Sequence, residues 1–171
     1  IKAALAGTFA AAYTGNITIN DASTTDITAT DITSINTAST GTITVSNAID
    51  INGSGSEVAA AFAAIDTNTG NATANVTGTD YTVAQLKAIN NATTGAIILT
   101  DTTVALSGSV SDIKSAFAGT ITTHTGTITI SDASTTDITA TDITLINDAS
   151  TGTITVSNAI DINGSGSEVA A

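Results

Sequence analysis

Internal repetition is the feature that most constrains how this chain can fold. Residues 15–60 and 126–171 align without gaps, with Gly15 matching Gly126 at an offset of 111 residues. The two copies differ only at Asn16/Thr127, Asn20/Ser131, Ser34/Leu145 and Thr37/Asp148. Shorter units, each about 25–31 residues long, begin near residues 15, 41, 70, 95, 126 and 152, and this length is typical of one coil in a repeat protein.

Each unit follows one pattern, which residues 41–66 show most clearly. Residues 42–46 and 49–52 alternate polar and apolar side chains, which predicts two short, half-buried strands. Ser54 and Glu57 then have the spacing of a helix capping box, and apolar residues follow at helical spacing. The predicted core residues are Ile43, Val45, Ile49, Ile51, Val58, Phe62, Ile65 and their equivalents in the other units.

The capping pattern recurs before an apolar pair in six units. The paired residues are Thr28/Asp31, Ser54/Glu57, Thr82/Gln85, Ser109/Asp112, Thr139/Asp142 and Ser165/Glu168. The segment 31–39 is rich in modest helix formers, so we expect only a turn or two of helix there. First strands are predicted at residues 17–19, 43–45, 72–74, 97–99, 128–130 and 154–156. Second strands are predicted around Ile27, Ile49/Ile51, Val76, Val104/Leu106, Ile138 and Ile160/Ile162.

These patterns together predict a mixed α/β repeat protein. The expected architecture is a parallel β-solenoid with two short strands and one short capped helix per coil. Residues 1–171 are expected to form one continuous segment of a longer array, in which residues 1–14 are the tail of a preceding coil. Residues 1–8 resemble residues 113–120, and neither end of the sequence has the polar capping unit that a solenoid needs.

The composition excludes several classes of function. The net charge is −12, with three basic residues, all of them lysine, which argues against binding to nucleic acid or to anionic membranes. Without cysteine, the chain has no disulfides to stabilise it. It contains no run long and apolar enough to span a membrane. An acidic surface rich in Thr, Ser and Asn fits an extracellular or cell-surface protein.

Polar residues at the corner between the two strands are the candidate metal ligands. Stacked coils would bring these residues towards one edge, with neighbouring strands about 4.8 Å apart. They could form an internal hydrogen-bonding ladder or a calcium-stabilised edge. The candidates are Asp21, Asn47, Asp101, Asp132 and Asn158. Residues 50–57 also resemble the first half of an EF-hand loop, but Ala61 stands where the bidentate Glu is required.

The sequence gives no indication of catalysis. The acid pairs Asp26/Asp31 and Asp137/Asp142 occur in both long copies, and repeated acids are typical of structure, so we expect no enzyme activity and no cofactor. His124 is the single histidine and is interpreted as a loop residue. Thr-x-Thr segments such as 42–44 keep ice binding open as an alternative function.

The chain also resembles a known class of proteins. The phrases TVAQLKAINNATTGAIILTD at 82–101 and STGTITVSNAIDINGSGS at 39–56 look like the giant cell-surface repeat proteins of marine cyanobacteria and related secreted bacterial adhesins. This resemblance implies secretion, surface attachment and a structural role. The predicted function is an extracellular rod in a filament, surface layer or adhesin stalk. Its partners would be neighbouring repeats and other copies of itself. Alternatives are a calcium- or glycan-binding module, an ice-binding solenoid and a phage-type fibre shaft.

Overall fold

The computed structural model describes residues 1–7 and 11–169, and these residues form a mixed α/β structure. The strands are β1 (Ile17–Ile19), β2 (Asp26–Thr28), β3 (Ile43–Val45), β4 (Asp50–Gly53), β5 (Thr67–Asn68), β6 (Thr73–Val76), β7 (Ile97–Leu99), β8 (Leu106–Gly108), β9 (Ile128–Ile130), β10 (Asp137–Thr139), β11 (Ile154–Val156) and β12 (Asp161–Asn163). The helices are α1 (Lys2–Leu5), α2 (Ala29–Ala38), α3 (Gly55–Ala64), α4 (Val83–Ala92), α5 (Val110–Phe117), α6 (Ala140–Ala149) and α7 (Gly166–Val169).

The strands form several small sheets, and every strand pair in the described residues is parallel. The strand orders are β1-β3-β5, β2-β4-β6-β7, β8-β9-β11 and β10-β12. In the two long copies, pairing joins residues that occupy equivalent places in successive units, such as Ile17 with Ile43 and Ile128 with Ile154. Because alternate strand residues face opposite sides, this register stacks isoleucine on isoleucine across the core.

The predicted N-terminal cap is present on each of the six helices from α2 to α7. The side chains of Thr28, Ser54, Thr82, Ser109 and Thr139 accept a hydrogen bond from the backbone N–H three residues later. Ser165 does the same for Glu168 at the start of α7. Each helix packs against the next one in the chain, from α1 to α7. Capping therefore fixes where each helix starts, and packing on neighbouring helices covers its sides.

One apolar core runs between the strands and the helices. The predicted core residues of the second unit are buried, with one exception. Ile65 is only partly buried because it lies at the C-terminal cap of α3, where the chain turns out of the helix. Tyr81, Leu86, Ile113 and Ile146 extend the buried region into the later units.

The strand prediction is wrong in the third unit, whereas the predicted strands of the fourth unit form as β7 and β8 and pair with β6 and β9. Residues 72–74 are not a first strand, because β5 takes the place beside β3 while β6 pairs with β4 and β7. Polar side chains set this register: the Ile43 N–H donates to Asp66 Oδ2 at 2.8 Å, and the Ala72 N–H donates to Asn68 Oδ1 at 3.0 Å. Such polar contacts cannot be predicted from the alternation of polar and apolar residues along the chain.

Helix α2 is longer than the turn or two that its composition predicts, with ten residues. Three side-chain hydroxyls bond to backbone carbonyls of the preceding turn: those of Thr33 and Ser34 to Thr30, and that of Thr37 to Thr33. These hydroxyl groups thus find hydrogen-bond acceptors on the helix itself, and do not draw the backbone into a non-helical conformation. Among the described residues, no helix has the length and apolar character needed to cross a membrane.

Candidate functional site

The corner residues hold neighbouring units together through their amide groups. Asn47 Nδ2 donates hydrogen bonds to the backbone oxygens of Asn20 and Asp21, at 3.2 and 2.8 Å. In the second long copy, Asn158 Nδ2 donates to the backbone oxygen of Asp132 at 2.7 Å. Each asparagine therefore links its own corner to the corner of the preceding unit. This part of the predicted edge is a hydrogen-bonding ladder built from amide and backbone groups.

Two of the three corner carboxylates, those of Asp101 and Asp132, also have partners within the protein. Asp132 Oδ2 accepts the N–H of Val110 at 2.8 Å. Asp101 Oδ1 accepts both the hydroxyl and the N–H of Thr103, and these bonds lower the pKa of Asp101. The five candidates thus fall into two linked pairs and a separate Asp101. Across residues 1–7 and 11–169, no group of three or more His, Cys, Asp or Glu side chains is placed to hold a metal ion.

All three lysines form ion pairs between successive helices, a feature that the sequence patterns did not suggest. Lys87 Nζ lies 2.6 Å from Asp112 Oδ1, and Lys114 Nζ lies 2.5 Å from Asp142 Oδ1. Lys2 pairs in the same way with Asp31. In each case the aspartate is the residue three positions after a helix cap, so a lysine of one helix reaches the first turn of the next. The pKa of each aspartate is lowered, first of all by its lysine.

The repeated acid pairs have structural partners. Asp31 and Asp142 each bind the cap of their own helix and a lysine of the preceding one. Asp26 lies beside Asp50 in the sheet and accepts a hydrogen bond from Asn52 Nδ2 at 3.1 Å. In the capping box of α3, hydrogen bonds from Ser54 lower the pKa of Glu57. These contacts account for Asp26, Asp31, Asp142 and Glu57 through capping, ion pairing and sheet formation.

His124 lies in the connection between α5 and β9, outside every helix and strand, but its side chain belongs to the core, which its interpretation as a loop residue did not predict. Its side chain is completely buried, and its ring lies edge-on to Phe117 and Tyr81, at centroid distances of 5.8 and 6.4 Å. Nε2 lies 2.9 Å from the backbone oxygen of Val104, while Nδ1 is buried without a hydrogen-bond partner among the described residues. Burial lowers the pKa of His124, so the neutral ring is favoured.

Tyr81 completes this cluster of rings. Its hydroxyl donates a hydrogen bond of 2.6 Å to the backbone oxygen of Asp101. Burial, together with the negative charge of Asp101, raises the pKa of Tyr81 to about 12. The scarcity of aromatic residues was the available signal, since the chain has two tyrosines and three phenylalanines and one of each lies beside its single histidine.

Threonine side chains form short rows rather than one array. The register of the first sheet aligns Thr18, Thr44 and Thr67, and Thr129 Oγ1 lies 3.1 Å from Thr155 Oγ1 in the third sheet. The two rows belong to different sheets. The sequence matches no protein-family model, and comparisons with curated proteins and with solved structures gave no match.

Proposed function

We propose that the chain is a segment of a parallel β-solenoid that serves as an extracellular structural rod, in a cell-surface filament, a surface layer or an adhesin stalk. The observation that carries the proposal is the in-register parallel pairing of equivalent residues in successive units, such as Ile17 with Ile43. When each unit pairs with the unit before it and the unit after it, added units extend the protein in one direction.

The order of the helices supports the same arrangement. Each helix from α1 to α7 packs against the next, so the helices follow one another along one side of the strands. The side-chain caps recur at the same step from α2 to α7, and three of the six helix-to-helix steps add a lysine–aspartate pair. A repeated contact of this kind is what a stacked coil requires.

The proposal assigns the acidic groups a structural role and no catalytic one. Its support is that the repeated acids cap helices, pair with lysines or bind backbone N–H groups. The proposed partners are neighbouring repeats and further copies of the chain in a filament or layer. Support for an extracellular location comes from the acidic, cysteine-free composition and the resemblance to secreted repeat proteins.

A lengthening series tests the rod. Since Ala171 corresponds to Ala60, residues 61–171 can be appended in phase once, twice and three times. X-ray scattering should show a maximum dimension that grows with each added copy, while the cross-sectional radius of gyration stays constant. A compact globule behaves differently, since its radius of gyration rises only about 1.3-fold when its length doubles. Such slow growth would contradict the rod.

A separate experiment tests the location. Antibodies raised against the chain should label intact, unpermeabilised producing cells, and brief protease treatment of those cells should remove the label. Labelling that requires permeabilised cells would contradict the extracellular assignment. It would not bear on the rod, which the scattering series tests separately.

A further inference from the structure

One buried side chain anchors the connection between α5 and β9. This connection, residues 118–127, belongs to no named helix or strand and is called the connecting segment. Within this segment, which the structure describes in full, His124 has the only buried side chain. We propose that the connecting segment is an acid-sensitive joint, in which protonation of His124 at Nδ1 releases the segment while the coils on either side stay folded. The inference is independent of the proposed rod.

The hydrogen bond at Nε2 sets the protonation state of the ring. The backbone oxygen of Val104 can only accept, so Nε2, 2.9 Å away, carries the proton and Nδ1 carries the lone pair. Nδ1 is buried without a hydrogen-bond partner among the described residues. A proton added to Nδ1 would be a buried donor without an acceptor, and it would place a charge in the core. Opening the segment to water removes both costs.

The groups that contact the ring do not offset these costs. Phe117 is apolar, and Tyr81, whose pKa is raised to about 12, stays neutral and donates its hydroxyl to Asp101 O. The charge of the Asp101 carboxylate favours a protonated ring, but its Oδ1 already accepts two hydrogen bonds from Thr103. Burial outweighs this attraction, so the pKa of His124 lies below its ordinary value.

The remaining charged groups on the neighbouring elements are exposed or paired with one another. They are Asp80, Lys87, Asp112, Lys114, Asp142 and Asp148. Lys87 pairs with Asp112 and Lys114 pairs with Asp142, while the other two are exposed. The strands that flank the segment, β8 and β9, contain no charged residue. His124 is therefore the group whose titration should act on the connecting segment.

His124 ties the connecting segment to the coils on both sides. Its ring binds the backbone oxygen of Val104 in the preceding coil. Its own backbone oxygen accepts the Thr151 N–H at 2.9 Å and the Ser150 hydroxyl at 3.0 Å, both in the following coil. Displacing the ring therefore loosens hydrogen bonds in both directions along the chain.

The neighbouring elements hold together without the connecting segment. Strands β8 and β9 pair directly, with Leu106 beside Ile128, and α5 packs against α6. Neither contact involves residues 118–127. A segment that lies outside helices and strands and buries one side chain opens at a lower free energy than the whole molecule. Opening is therefore expected to stay local.

Amide hydrogen exchange at a series of pH values tests the joint. In the open segment the ring regains its ordinary pKa of 6.5, while the closed segment keeps it neutral. The ratio of open to closed segment should therefore rise by up to about 30-fold between pH 7.5 and pH 5. Protection factors, which correct for the intrinsic pH dependence of exchange, should fall by this factor at the Thr151 N–H, bound to His124 O, and at the Thr125 N–H, bound to Thr102 O.

Small amounts of urea distinguish local opening from unfolding of the whole chain. Local opening exposes little surface, so protection at Thr125 should hardly depend on urea, whereas exchange through global unfolding depends on it strongly. The reference is the Asp50 N–H, which donates to Thr25 O within the first long copy and should be the better protected of the two. Identical protection and identical urea dependence at Asp50 and Thr125 would overturn the joint.

Two variants separate the charge of the ring from its packing. His124→Phe keeps a ring that cannot titrate, so protection at Thr125 should no longer depend on pH. Tyr81→Phe is the matched control, since it removes the bond to Asp101 O and leaves His124 in place. It should lower protection at neutral pH and keep the acid response. An unchanged acid response in His124→Phe would overturn the proposal.

A measurement on the unaltered chain decides the matter even if His124→Phe does not fold. His124 is the single histidine, so its ring signals in nuclear magnetic resonance spectra are unambiguous. The nitrogen shifts should place the proton on Nε2, and the folded-state ring should stay neutral between pH 7.5 and pH 5 while protection of the segment falls. A folded ring that titrates near pH 6.5 with unchanged protection would overturn the joint.

Discussion

At the scale of single residues, His124 and Tyr13 show that two equivalent positions can differ in burial. Tyr13 occupies the matching place in the first long copy and is 47% exposed, whereas His124 is completely buried against Phe117 and Tyr81. Both residues form a parallel bridge to the serine that follows the next helix, Ser39 or Ser150. The backbone position is thus the same, and the preceding coil decides whether the ring is covered.

The buried histidine makes stability depend on pH. Its folded-state pKa lies below the unfolded value of 6.5, so the unfolded chain binds more protons as the pH falls below that value. We expect the free energy of unfolding to decrease between about pH 7 and pH 5, as measured by urea denaturation. In His124→Phe, which keeps a ring but cannot titrate, that decrease should be absent. An equal decrease in the variant would show that another group is responsible.

A pair of identical isoleucines provides a residue-scale test of burial. Ile51 is completely buried and Ile162, its equivalent, is 43% exposed. Ile51→Ala should cost about 2–5 kcal/mol of unfolding free energy, since it removes packed methyl groups and leaves a cavity. Ile162→Ala should cost less than about 1.5 kcal/mol, because much of that side chain is already in solvent. Equal losses, measured by chemical denaturation, would contradict the burial difference.

At the scale of elements, the third residue of a capped helix serves either its own helix alone or the preceding helix as well. The third residue of α2, α5 and α6 is an aspartate. Its backbone N–H donates to the capping side chain of its own helix, and its carboxylate forms an ion pair with a lysine of the preceding helix. In α3 and α4 the corresponding Glu57 and Gln85 complete a capping box instead. One position therefore has two uses, and the length and charge of its side chain decide between them.

Two serine caps with the same local sequence test how much capping depends on packing. Ser54→Ala should cost about 1 kcal/mol, because the Glu57 N–H of a packed helix loses its acceptor. Ser165→Ala should cost less, since α7 is fully exposed over Gly166–Val169 and contributes little to the core. The comparison can be made by thermal unfolding of the two variants beside the parent chain. A larger effect at Ser165 would contradict this view of α7.

At the scale of the whole molecule, the corner residues give no reason to expect stabilisation by calcium. Asn47 and Asn158 use their amides for backbone carbonyls, and the Asp101 and Asp132 carboxylates accept N–H groups. We expect the melting temperature to be the same in millimolar calcium and in chelator. A rise of several degrees with calcium would show a cation site at the corners.

The stacking distances of the two kinds of element predict a curved rod. Neighbouring strands lie about 4.8 Å apart, whereas packed helices lie about 8–10 Å apart. Because each unit contributes one helix, the helix side should be longer than the strand side, and a long array should bend or coil with the strands inside. Electron micrographs of the lengthened chains should show this curvature. Straight rods would mean that tilting of the helices absorbs the mismatch.

Much of the local structure could be predicted from the sequence because the repeats reinforce one another. Six boxes in register identified six caps, since a capping box depends on residues three apart in the chain. The strand register of the third unit was missed because it depends on Asp66 and Asn68, whose polar contacts carry no periodic signal. The lysine pairs were missed because their partners lie 25–29 residues away.

By itself, the sequence determined the elements of this protein: where strands alternate, where helices start and how often the unit recurs. Those properties follow from contacts within a few residues, and every copy repeats them. The tertiary structure decided which strand lies beside which, that His124 is buried, and that Val45 is covered while the identical Val156 is not. The physical reason is that burial and sheet register depend on the neighbouring coil, which contacts within a few residues do not specify.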